Sequence, residues 1–175
     1  YNTVWGVIIG SGFGGSFVHN KKVVEGVNQV AGDWGHQPLP YPSKEEWDLN
    51  LKCPVDNCGR PLCAEQFISG IGFTNIFNRK YKTNFTTKEI VDLELNGDER
   101  AKKEFDLYED RFARLIAVMI GIVDPDVIIL GGGMSNIERL YSNIPKLLPK
   151  YTFSDKVRNK ICLLYTSPSP RDRLK

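Results

Sequence analysis

Three cysteines, Cys53, Cys58 and Cys63, fall within one short stretch, and His36 precedes them. Three thiolates and an imidazole make a tetrahedral donor set suited to a structural Zn²⁺. Disulfide pairing is the competing account, but a trio pairs poorly and no secretion signal accompanies it. The fourth cysteine, Cys162, stands apart near the C-terminal end. Asp33-Trp34-Gly35-His36 offers a carboxylate beside the imidazole, and Glu65 adds a second carboxylate just past Cys63. Brought together by a metal-pinned loop, these groups suit a polyhydroxylated ligand, because each bridges neighbouring hydroxyls. Taken singly, Asp33 and Glu65 read more simply as solvated charges.

Two glycine segments have a different chemistry. Gly10-Ser11-Gly12-Phe13-Gly14-Gly15 follows directly on the apolar run 4–9. Glycines let backbone N–H groups approach phosphate oxygens with no Cβ in the way. No Gly-Lys-Ser/Thr follows, and strand-like residues rather than a helix come next, so neither a P-loop nor a dinucleotide fingerprint fits. A plain hairpin corner is the alternative. Gly131-Gly132-Gly133 ends the β-branched run 127–130 ahead of a helical pattern, where an open α/β sheet places its ligands. Here too a tight turn alone would account for the glycines.

The elements that must position these groups are partly legible. Residues 4–9 and 16–19 read as strands of a hairpin, with a turn at 20–22 and strand character again at 23–24. Residues 26–63 are irregular and rich in Gly, Pro, Asn and Cys, which implies function or a tether. A helical pattern starts at Ala64 through Phe67, Ile68, Ile71 and Phe77, and a short helix over 87–93 is capped by Thr86 or Thr87. Phe105, Tyr108, Phe112, Leu115, Ile116, Met119, Ile120 and Val123 form one apolar stripe, predicting a helix over 99–123 that packs on the sheet. Asp124-Pro125 ends it. Residues 134–148 predict another amphipathic helix, with Pro145 as its weak point.

The chain has 175 residues, 23 Lys plus Arg against 21 Asp plus Glu, and a formal charge of +2. That balance supplies no field for nucleic acid or an anionic membrane, and no apolar run nears the roughly 20 residues of a span. Tyr1 opens almost inside a strand, so an upstream part is expected. The division expected is one lobe over 1–161 and a tail over 162–175, disordered or non-native, with its prolines at 168 and 170.

The glycine segment 10–15, Ala31-Gly32-Asp33-Trp34-Gly35-His36, the stretch Cys58-Gly59 to Cys63-Ala64-Glu65, and Asp124 to Gly133 occur in the order found in the ROK family of sugar kinases and repressors. From Val4 to Leu148 the chain resembles that family. Trp34-Gly35-His36-Gln37-Pro38-Leu39-Pro40 and Gly131 to Asn136 look most like its bacterial fructokinase branch, with N-acetylglucosamine kinase next. The resemblance implies an α/β fold, the C-terminal lobe of an actin-like (ribonuclease H-like) ATPase. Its mixed sheet would be flanked by helices and carry an inserted zinc loop. It implies a cytoplasmic, ATP- and Mg²⁺-dependent kinase acting on the 6-hydroxyl of a hexose, fructose first, and working as a homodimer.

The resemblance also assigns residues. Gly10, Ser11, Gly12, Phe13, Gly14 and Gly15 would hold phosphates, with Gly131, Gly132 and Gly133 beside the adenosine. Asn28, Asp33, His36 and Glu65 would contact sugar, and His36, Cys53, Cys58 and Cys63 would hold zinc. Asp33 stands where the family usually has Glu, Gln29 and Leu62 where it has Gly, and Cys53 and Cys58 are more widely spaced than usual. The catalytic Asp would belong to the upstream lobe, so the chain by itself is expected to be inactive. A sugar-sensing repressor of the same family, with an upstream DNA-binding segment, is the alternative.

Overall fold

Alternation in the first apolar run sets the sheet. In the computed structural model, which describes residues 1–49, 58–154 and 156–163, Trp5, Val7 and Ile9 of strand β1 (Thr3–Ile9) are buried while Ile8 points outward. The chain turns at Gly10 to Gly12 and returns antiparallel as β2 (Phe13–His19), followed by the two-residue β3 (Lys22–Val23). Strands β4 (Val127–Gly131) and β5 (Lys160–Leu163) extend the other side in parallel, giving the order β3-β2-β1-β4-β5. This is the mixed sheet expected. The second hairpin strand starts earlier than residue 16, because Phe13, Gly14 and Gly15 pair with Ile9, Ile8 and Val7. The sheet also runs past residue 161, since Cys162 and Leu163 pair with Ile129 and Leu130. Residues 164–175 lie outside the described residues.

Helices α1 (Lys44–Asp48), α2 (Glu65–Ile68), α3 (Gly70–Tyr81), α4 (Thr87–Leu95), α5 (Glu99–Val123) and α6 (Arg139–Leu147) complete the lobe. The long helix has the predicted bounds. Asp98 caps its first turn by accepting from the N–H groups of Arg100 and Ala101, and Asp124 ends it at φ 43°. Its stripe is buried from Phe105 to Ile116 in one core with Trp5, Val7 and Ile9. It packs among the other helices and meets β2 through Phe112, whose ring stands edge-on to Phe13 at 6.0 Å.

Elsewhere local pattern gives way. The single helix expected from Ala64 is broken at Ser69, whose backbone is extended and whose Oγ caps α3 by accepting from Gly72 N–H. The helix expected over 134–148 is a 3-10 turn (Gly133–Asn136) followed by α6, which continues through Pro145. Helix α1 was not expected within the irregular stretch; Ser43 and Glu46 close a capping box at its start.

Helix α5 also carries buried charges that its apolar stripe did not announce. Arg111 Nε donates to Glu46 Oε1 at 2.8 Å, and Arg114 donates to both Glu46 oxygens at 2.6 and 3.1 Å. Arg114 further donates to the carbonyls of Pro40 and Tyr41, each at 2.8 Å. The loop after His36 is thereby anchored to the core helix.

Candidate functional site

The irregular stretch folds back on itself through a short antiparallel contact. Leu39 N–H donates to Leu62 O and Ala64 N–H to Gln37 O, each at 2.8 Å, with a bridge between Pro38 and Cys63. This pairing brings Cys63 to His36, with Sγ 3.6 Å from Nδ1. Donor atoms of His36, Cys58 and Cys63 all lie within 4.8 Å of one another. A tetrahedral zinc with ordinary Zn–S and Zn–N bonds separates S and N by about 3.6 Å, so these residues fit the ion. Cys53 lies outside the described residues. Cys162, in β5, belongs to another part of the fold.

The 3-10 turn Trp34–His36 presents the imidazole, and it is pressed onto β2. A Cβ at Gly35 would collide with the carbonyl oxygen of Phe13, and one at Gly32, where φ is +96°, with that of Gly15. Trp34 packs against Phe13 at 4.8 Å and edge-on to Trp5 at 5.5 Å. Gly35→Ala is therefore expected to destabilise the protein by about 3 kcal/mol in thermal melts. Gly10→Ala, whose Cβ would meet nothing within 4 Å, should be close to neutral.

His36 has two directions. Its Nδ1 faces Cys63, and its Nε2 lies 3.9 Å from Asp33 Oδ1, where the Asp33 side chain is half exposed. Metal on Nδ1 would leave the proton on Nε2, aimed at the Asp33 side. Glu65 is not a solvated charge: it is 5% exposed, and its Oε2 accepts from Phe13 N–H at 3.0 Å. Asn28 lies in an exposed turn.

The two glycine segments meet at one cleft of about 600 Å³. Gly10 and Ser11 form one rim and Gly133 another, between the N-terminal turns of α3 (Gly70, Ile71) and α4 (Thr87, Lys88). Val91, Met134 and Ile137 supply apolar wall. The other glycines have different places. Gly12, Phe13, Gly14 and Gly15, together with Gly10 and Ser11 again, line a second cleft of about 480 Å³ along the hairpin. Gly131 is a buried strand end, and Gly132, at φ +88°, sits against the Ile9 backbone where a Cβ would not fit. Lys88 and Thr87 were not among the expected site residues; the Thr86–Glu89 capping box is visible in the sequence, but not which cleft its helix faces. A wider cleft of about 1260 Å³, between Tyr1, Tyr41, Asp124 and Lys156, contains none of the expected site residues.

The profile of the ROK family matches residues 1–169. The chain belongs to the ROK family. An N-acetyl-D-glucosamine kinase of Photobacterium profundum is 36% identical over 155 residues, covering 87% of this chain and 50% of the relative. The chain thus spans about half the length of the curated relatives it matches. A ROK hexokinase from Thermus thermophilus superposes with a TM-score of 0.78 at 20% identity, covering 93% of this chain and 51% of that one. A ROK glucokinase from Streptomyces griseus, solved with glucose and AMPPNP, gives 0.75 at 20% identity, covering 94% and 55%. The fold is that of the expected actin-like ATPase lobe. Curated relatives at 32–38% identity are N-acetyl-D-glucosamine kinases, where a fructokinase was expected.

Proposed function

We propose that this chain is the sugar- and nucleotide-binding lobe of an ATP-dependent kinase that phosphorylates a hexosamine or hexose at its 6-hydroxyl. The observation that carries the reading is spatial: Gly10 and Gly133, far apart in sequence, rim one cleft, while the loop bearing Asp33 and His36 is packed onto the same hairpin. In this reading the cleft takes ATP with its Mg²⁺, the phosphates toward the Gly10 turn and the base against Val91, Met134 and Ile137. Asp33, His36 and Glu65 orient the sugar, with Asn28 at the outer edge. His36, Cys58, Cys63 and Cys53 hold a zinc ion whose contribution is to order the loop. A general base on the partner lobe would accept the sugar proton. The sugar most favoured is N-acetylglucosamine, from the named activity of the curated relative. The same relative favours a kinase over the repressor.

An assay of ADP release against N-acetylglucosamine, glucose and fructose tests this. The two-lobed protein is expected to turn over with N-acetylglucosamine best, the 175-residue chain not at all. Asp33→Ala in the two-lobed protein should raise the sugar KM by about tenfold, as loss of a charged hydrogen bond implies, with the ATP KM little changed. Absence of sugar-dependent ADP release from the two-lobed protein would overturn the proposal.

A further inference from the structure

Two segments far apart in sequence supply walls of the 600 Å³ cleft. Thr87, Lys88 and Val91 belong to α4, whereas Gly133, Met134, Asn136 and Ile137 lie on the turn that leads into α6. Just past Ile137, Arg139 opens α6. Its guanidinium reaches across to α4, where Nη1 donates to Glu94 Oε1 at 2.6 Å, one helical turn beyond Val91. The opposite edge is held on α5. There Nε and Nη2 donate to the two oxygens of Glu109 at 2.6 and 3.1 Å, and Nη2 also donates to Asp106. The guanidinium lies 5.5 Å from the Phe105 ring centre, and Asn143 Nδ2 donates to both oxygens of the buried Glu109. Charge balance alone does not require Glu94. The two-pronged bond to Glu109 already neutralises Arg139, and such a fork fixes the orientation of the guanidinium as well as its charge. A further, half-buried carboxylate gains little from electrostatics. What the Glu94 bond adds is mechanical: with Arg139 locked onto α5, it sets how far α4 stands from the Gly133 turn.

We propose that Arg139 is a positioning residue for the nucleotide, acting through Glu94 to set the width of the cleft. The tether holds Val91 on one side against Met134 and Ile137 on the other, at the spacing that a flat base between them needs. The effect on the nucleotide rests on the assignment of that cleft given above; the tether on α4 does not.

Glu94→Ala cuts the tether and leaves Arg139 paired with Glu109 and Asp106, so the core stays closed. In the two-lobed protein, assayed with ATP and N-acetylglucosamine, this variant should raise the ATP KM by about tenfold and leave the sugar KM within about twofold of the parent. Glu94→Gln, whose amide oxygen still accepts, should keep the ATP KM within about threefold. Asp106→Ala removes the same charge from the same guanidinium without touching α4, and its ATP KM should match the parent. In the 175-residue chain, hydrogen exchange of α4 amides should quicken by about tenfold in Glu94→Ala while α5 amides remain protected. A parent-like ATP KM in Glu94→Ala overturns the proposal, even where α4 exchanges faster. So does an equal rise in Asp106→Ala, which would assign the effect to the field of the carboxylates. Parent-like exchange of α4 in Glu94→Ala removes the tether itself. If the two-lobed parent releases no sugar-dependent ADP, the functional reading fails, and the exchange rates still decide the tether.

Discussion

Exchanging Cys63 for serine is expected to abolish tight binding of one zinc ion per chain. The thiol stands 3.6 Å from His36 Nδ1, at the point where residues 37–39 pair with 62–64. Removing it takes away a proposed ligand at the point where this loop closes on itself. Structural zinc supplies on the order of 10 kcal/mol of apparent binding energy, and in a site of this kind most of that is folding energy. Metal affinity, measured by competition with a chromophoric chelator, should fall by at least about 100-fold in Cys63→Ser and in Cys58→Ser. Cys162→Ser, in β5, should bind metal like the parent. The same titration on Cys53→Ser asks whether the fourth donor is that thiol. Elemental analysis that found no zinc in a folded parent would remove the zinc centre.

Arg114→Ala should be the most damaging single change outside the metal centre. Its guanidinium and that of Arg111 neutralise Glu46, and it also ties down the carbonyls of Pro40 and Tyr41. Breaking one member of such a buried set strands the others, at a cost of about 3–5 kcal/mol. The melting temperature should fall by roughly 10 °C for a chain of this size. Burial alone would raise the Glu46 carboxyl, but hydrogen bonds from Arg114 and Arg111 outweigh it and hold the group below its usual 4.5. Its stabilisation is therefore complete above that value and is lost as the pH falls through the lower, folded-state value. Acid melts at fixed zinc should show this loss in the parent, with a flatter acid limb in Glu46→Gln. A parent-like melting temperature in Arg114→Ala would show that the loop after His36 does not depend on this anchor.

Much of the lobe is written locally. Asp98 as a cap, the stripe from Phe105 to Ile116 and the Asp124-Pro125 stop fix α5 because a helix is decided by neighbours within a few residues. The alternation of Trp5, Val7 and Ile9 likewise marks one buried face of β1. Ser69 is different. Its break in the helical pattern follows from the close approach of Gly72 to the Gln66 backbone and of Gly70 to Gly10, contacts that periodicity does not contain.

For the site the division is similar. Residue types named the chemistry: sulfur and imidazole for a metal, carboxylates for hydroxyls, glycines for phosphates. Which glycines serve which purpose depended on the fold, since Gly133 reaches the cleft while Gly132 is used up in passing Ile9. Lys88 and Thr87 entered the cleft only because α4 packs where it does. Pattern along the chain was enough for the family, the long helix, the strands and the donor types, because each of these depends on order and spacing. It took packing between distant segments to make Glu65 hold the glycine turn and to bury Arg111 and Arg114 on Glu46. The desolvation that makes those contacts matter exists only once the core has closed around them.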